Sequence, residues 1–487
     1  MKNGISRRSF LEGTAAGAAA MSTLTTWPIF AADAQPTPTP PKLRLGKVYF
    51  GYEHPSWPKD TVDVDAERRR VEGELARIQP QLPDVEWIDC GVVDNEDKFA
   101  QAKEKLQGAD GILFLQLTMG ARKTINSLLE LGLPLVWFSE PFCGHEWCTA
   151  AAMQQKEGKR FELVASSKYE DIVPALRPVR ALARLKRAKV LHVSQHPADA
   201  AYVKAIKEKF GTEIVSLGPK DLEEAYNSIP DADVEADMNW WVSGAEKVVE
   251  PSREDLLKAA RMALAVEKMV AQLQADVITI NCLGMGLLNS NMGYPCWGFC
   301  RLNNRGLGGV CEADLYSTMT HLIFVYMVGR PGFVSDPCFD LSNNTILHAH
   351  CVAATKMLGP DGPSHPYIIR SHLEDNKSAV LQVKLPVGQK VTMARLIGPD
   401  VLLYSTGEAV QSPLLDRGCR TKLVVRVDNA EKILLNWTSG LHRVIFYGEH
   451  EKDVGRFCRL AGVRLFREGQ DDPRDVPSLG WYQRVRA

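Results

Sequence analysis

The chain has 487 residues, 45% of them hydrophobic, which is enough for sizeable cores and too long for one typical domain. Lys plus Arg number 58 and Asp plus Glu 59, and so even a balance excludes the basic stripe that a nucleic-acid partner requires. Beyond the N-terminus no apolar run approaches the ~18 residues of a membrane span.

Residues 1–34 read as a targeting segment. Ser6-Arg7-Arg8-Ser9-Phe10-Leu11 has the twin-arginine pattern, an Ala-rich stretch follows, and Ala32-Asp33-Ala34 offers a cleavage site before Gln35. The expectation is export in folded form to the periplasm or beyond. Residues 35–42, QPTPTPPK, form a Pro/Thr linker with no means of packing a core.

From Leu43 strands and helices alternate. Lys47–Tyr52, Val85–Cys90, Asp110–Leu117 and Leu133–Phe138 read as strands, with helices over Val62–Ile78, Glu96–Leu106 and Ala121–Leu131. This spacing predicts a doubly wound parallel sheet over 43–183. Its strand-end loops Gly51–Trp57 and Ser139–Trp147 each hold a His (His54, His145) and a Glu (Glu53, Glu140). A second α/β unit is expected over 184–364. Its strands are Ala188–Ser194, Glu213–Leu217 and Asp276–Cys282, its helices Ala200–Phe210, Asp221–Ser228 and Arg253–Gln274. Leu283-Gly284-Met285-Gly286 lacks the rest of any phosphate-loop pattern. Over 365–487 short β-branched strands (379–385, 390–397, 400–408, 421–427, 442–447) and one helix, Glu451–Ala461, predict a β-rich, barrel-like domain. The 11 cysteines form no CxxC pair, and no disulfide pairing follows from their spacing.

The stretch Gly306–Cys351 combines the most groups able to do chemistry. Glu312 follows a Gly-rich turn and opens the apolar helix Leu315–Val328, where a carboxylate suits the helix dipole; Asp314 suits a cap there equally well. Asp336 is expected at the end of a short strand, held extended by Pro337. If strand, helix and strand form one parallel crossover, both acids face one crevice. His348 and His350 lie on a strand over 345–352 and share a face. His350 and Asn281 are candidate substrate-proximal residues, and His348 reads as a bystander.

Three motifs carry a resemblance: Cys311-Glu312-x-Asp314 opening a helix, Asp336 on the next strand, and His442 followed by an apolar strand and Tyr447-Gly448-Glu449. Together they resemble the L-fucose isomerase/L-arabinose isomerase superfamily, closest to its fucose-isomerase-like branch, over roughly residues 185–465. The resemblance implies two Rossmann-like domains and a β-barrel, with Glu312 and Asp336 as catalytic residues. It implies a divalent metal, usually Mn²⁺, on Glu312, Asp336 and His442, and homo-oligomeric assembly. The implied activity is aldose–ketose isomerisation of a free monosaccharide through an enediolate. The alternatives are an epimerase or lyase on the same metal, or a sugar-binding protein without turnover. Leu441 stands where relatives often carry a second His.

Overall fold

Aliphatic and β-branched runs set the first sheet. In the computed structural model, which describes residues 41–287, 291–437 and 440–472, β1 (Leu43–Phe50), β2 (Val85–Val92), β3 (Gly111–Gln116), β4 (Leu135–Ser139) and β5 (Glu162–Ala165) lie parallel in the order 2-1-3-4-5. Every residue of β3 and β4 is buried, because crossover helices cover both faces of a parallel sheet. Asp63 and Asn95 begin two of those helices by accepting the Ala66 and Lys98 N–H groups. The targeting segment expected at 1–34, and the linker except for its last two residues, lie outside the described residues.

The second sheet repeats the plan. Here β6 (Lys189–Val193), β7 (Glu213–Leu217), β8 (Val277–Ile280) and β9 (Gly308–Cys311) run parallel in the order 7-6-8-9, matching 2-1-3-4 of the first. Loops at the strand C-termini beside such a switch in order form a natural crevice.

The third sheet is a barrel. It is built from β10 (Phe333–Asp340), β11 (Thr345–His350), β14 (Gln389–Ile397), β15 (Val401–Gln411), β16 (Thr421–Arg426) and β17 (Arg443–Tyr447). The order 14-17-10-11-16-15 closes through the β14–β15 pair, all antiparallel. β12 (Tyr367–Arg370) and β13 (Val380–Val383) form a separate hairpin, and β18 (Arg464–Arg467) runs parallel to the start of β15. The α/β, α/β, barrel organisation read from the strand pattern is thus present.

Two expectations about Asp336 are corrected. No parallel crossover follows β9: β10 joins the barrel, so the division at 364/365 does not separate the sheets. Gly332 packs so closely on Val444 and Phe446 that a Cβ there would meet their side chains within 3 Å, and this commits the chain to β17. Nor does Pro337 end the strand. Phe333–Ser335 pair with β17, Asp336–Asp340 pair with β11, and Asp336 sits where the strand changes partner.

The helix Leu315–Val328 joins the second sheet to the barrel, with Phe324 stacked on Phe446 at 4.1 Å. Its buried threonines and histidine are all hydrogen-bonded. Thr318 and Thr320 donate to the carbonyls of Asp314 and Tyr316, and the Leu396 N–H donates to Thr320. His321 Nε2 bonds the Leu307 carbonyl at 3.1 Å, while Nδ1 accepts the Gly332 N–H at 3.3 Å. Both bonds need a neutral ring, and burial pushes the pKa of His321 down to about 4. The unfolded chain takes up that proton near pH 6.5. Stability is therefore expected to fall between pH 6.5 and 4, by on the order of 3 kcal/mol from this residue. Urea unfolding across that range should show the slope, and a His321→Phe chain should show it reduced by close to one proton.

Candidate metal centre

Glu312 is aimed by an unusual turn. After β9 both Glu312 and Ala313 adopt positive φ, 62° and 52°, a region that costs a non-glycine residue about 1–2 kcal/mol. Bonds at both ends hold it: the Ala313 N–H reaches the Ile280 carbonyl at 3.1 Å and the Asp314 N–H the Cys311 carbonyl at 3.3 Å. Asp314 takes the cap, its Oδ1 accepting from the Tyr316 and Ser317 N–H groups. Glu312 is thereby freed from capping and points its carboxylate toward the barrel. An Ala313→Gly chain should be as stable as the parent or more so, whereas Ala313→Val should lose about 1–2 kcal/mol by thermal unfolding.

Four side chains from four segments converge. His442 Nε2 lies 3.3 Å from Glu312 Oε2 and 3.1 Å from Asp336 Oδ1. His350 Nε2 lies 3.6 Å from Glu312 Oε1 and 3.9 Å from Asp336 Oδ2. Each carboxylate thus turns one oxygen to each imidazole. Asp336 Oδ1, His350 Nε2 and His442 Nε2 are all buried without a hydrogen-bond partner, which is the mark of atoms meant for something else. The donor atoms of Asp336, His350 and His442 fall within 4.8 Å of one another, as do those of Cys311, Glu312 and His350. These groups fit a divalent cation.

The two histidines differ in where they keep their proton. His442 Nδ1 lies 2.9 Å from Asp314 Oδ2, and a carboxylate partner fixes N–H there, leaving the Nε2 lone pair for a metal. His350 Nδ1 instead accepts the Cys351 N–H at 3.0 Å, so a neutral ring carries its proton on Nε2, facing the carboxylates. By its hydrogen bonds, His442 is built as a ligand and His350 as a proton donor.

Asp314 does more than cap. Arg395 Nη1 bonds its Oδ2 at 2.7 Å and also reaches Ser317 Oγ and the His442 carbonyl. Burial opposes ionisation of Asp314, but Arg395 and then His442 outweigh it and hold the carboxyl far below the usual range. Arg395 balances Asp314, which leaves the charges of Glu312 and Asp336 to be met by the imidazoles facing them or by a cation. His350 and His442 hold the Glu312 carboxyl well below its ordinary value. Burial opposes a charge on His442 too, yet Asp314, Asp336 and Glu312 push its pKa up to about 11.

The remaining candidates are held by other partners. His348 Nδ1 bonds Ser335 Oγ at 2.9 Å, and burial pushes its pKa down to about 3. Asn281 closes the turn after β8, accepting the Gly284 N–H at 3.0 Å and donating to Ser194. In the first domain the loops after β1 and β4 meet each other: His145 packs on Trp57 with ring centres 4.6 Å apart, Glu140 pairs with Arg70, and His54 faces the Asp60 carbonyl. The sequence reading missed Arg395 and the second role of Asp314. The apolar strand around Arg395 was the one signal for it, since an arginine amid β14 must find a buried partner. Neither a known protein family nor any curated protein matches this chain.

Proposed function

We propose that the chain is a divalent-metal-dependent aldose–ketose isomerase of the L-fucose/L-arabinose isomerase type, acting on a free monosaccharide. The observation that carries this reading is the convergence of Glu312, Asp336 and His442 with the facing atoms of Asp336 and His442 left unpartnered. Two carboxylates and one imidazole suit a hard cation, and Mn²⁺ is the metal we assign. When bound, it supplies the positive charge that favours ionisation beside a carbonyl.

The chain's own groups do the remaining work. A carboxylate oxygen of Glu312 or Asp336 takes the proton from the carbon beside the carbonyl and returns it to the neighbouring carbon, a role worth typically ~10²–10⁴-fold. His350 holds a proton at Nε2 facing both carboxylates and donates toward the sugar oxygens. Asp314 and Arg395 orient His442. Among the described residues no helix is long and apolar enough to cross a membrane. Export by the twin-arginine route and a homo-oligomeric state complete the proposal.

The test is metal analysis of the purified protein together with a screen of aldoses and ketoses in D₂O. Bound divalent metal with deuterium entering C1 or C2 of a sugar is the expected result. A metal-free protein would sink the assignment. Metal and sugar bound without exchange would mark a binding protein, and exchange with an epimer or a dehydrated product would mark the epimerase or lyase.

A further inference from the structure

A second reactive pair lies directly beside the metal centre. In the parallel register of β8 and β9, Ile280 stands opposite Cys311. A tight turn then returns the Cys282 N–H to the Ile280 carbonyl at 2.9 Å. This brings the Cys282 side chain back over the end of β9, where its sulfur lies 3.2 Å from that of Cys311, with both residues buried. A disulfide bond measures about 2.05 Å, so the sulfurs need to close by only about 1.2 Å.

We propose that Cys282 and Cys311 form a reversible disulfide whose closure displaces Glu312. Its consequence for the metal rests on the reading above; the pair itself does not. With glutathione disulfide as oxidant, one cysteine sulfur attacks, the S–S bond of the oxidant breaks and one glutathione leaves. The second cysteine sulfur then displaces the other glutathione as the protein S–S bond forms. The two protein thiols lose two electrons and two protons, and these end on two glutathione thiols.

The coupling to Glu312 follows from the chain path. Cys311 precedes Glu312 directly, and the turn holding Glu312 and Ala313 at positive φ is tied to the Ile280 and Cys311 carbonyls. Movement of Cys311 toward Cys282 therefore passes into the turn that aims the carboxylate. A strained turn of this kind is poised to give way.

The full-length protein, equilibrated in reduced and oxidised glutathione and then alkylated, decides the matter by non-reducing peptide mapping. The expected result is a Cys282–Cys311 link removed by dithiothreitol. Alongside it, the Ala313 and Asp314 amides should exchange with D₂O at least tenfold faster, and Mn²⁺ affinity should fall at least tenfold. A Cys282→Ser chain should bind Mn²⁺ as the reduced parent does and ignore glutathione disulfide. The proposal is overturned if both cysteines stay alkylatable while the neighbouring Cys351–Cys419 contact is the one that oxidises. It is overturned equally if the link forms and the two amides exchange as before. Should Cys282→Ser fail to fold, mapping and exchange on the parent decide alone. Neither uses the metal, so a chain that binds no Mn²⁺ in either state overturns the metal assignment and leaves the pair to be judged by them.

Discussion

On the proposed isomerase function, the Asp336→Asn chain is expected to lose Mn²⁺ affinity by at least 100-fold and turnover by at least 1,000-fold while keeping its fold. Asn has nearly the same shape, so β10 keeps its pairing with β11 and β17. What disappears is one of the two carboxylate charges facing the histidines, and with it an anionic donor whose Oδ1 has no hydrogen-bond partner in the protein. A 100-fold loss is about 2.7 kcal/mol, modest for an anionic ligand replaced by a neutral one. The side chain of Asp336 is 28% exposed, so the fold does not depend on its charge. Calorimetric titration with Mn²⁺ checks the affinity and circular dichroism the fold. Unchanged affinity would remove Asp336 from the ligand set.

The largest stability effect is expected one residue past His442. Arg443 and Glu468 are paired with neither side chain exposed. The guanidinium bonds the carboxylate through Nε and Nη2 and lies over the Trp437 ring, 3.9 Å from its centre. Removing one partner of such a pair leaves a buried charge unbalanced, at about 3–5 kcal/mol. Glu468→Ala should therefore lower the urea unfolding free energy by that amount, while Arg443→Met with Glu468→Leu should recover most of it. Metal affinity should fall with the single change, because Arg443 Nη1 also holds the His442 carbonyl at 2.9 Å. A loss below about 1 kcal/mol would show that water or another group reaches the charge.

How far the fold could be read in advance depends on which forces are local. Buried strands of a parallel sheet are continuous apolar runs, so DGILFLQL and DVITINC declared themselves, and Ala200–Phe210 and Leu315–Val328 matched their helices to the residue. The strands around 390–397, 421–427 and 442–447 were equally plain from their β-branched content. Phe333–Asp340 was legible as extended but not as barrel. Apolar pattern reports that a strand is buried, not which strand it pairs with, and its partner β17 lies more than a hundred residues away.

The same division runs through the candidate site. Glu312, Asp336 and His442 stood out by residue type and local setting, and His348 could be set aside because one buried histidine is most often a satisfied core group. By itself the amino-acid sequence determined the three-domain order, the near-neutral charge and the carboxylates able to hold a cation. Only the tertiary structure decided that Asp314 serves His442, that Arg395 balances Asp314, and that His350 keeps its proton on the side facing the carboxylates. The physical reason is that a charge, a tautomer or a strand partner is set by whatever lies within a few ångströms. In this chain those neighbours come from β9, β10, β11, β14 and β17, which meet only when the second sheet docks on the barrel.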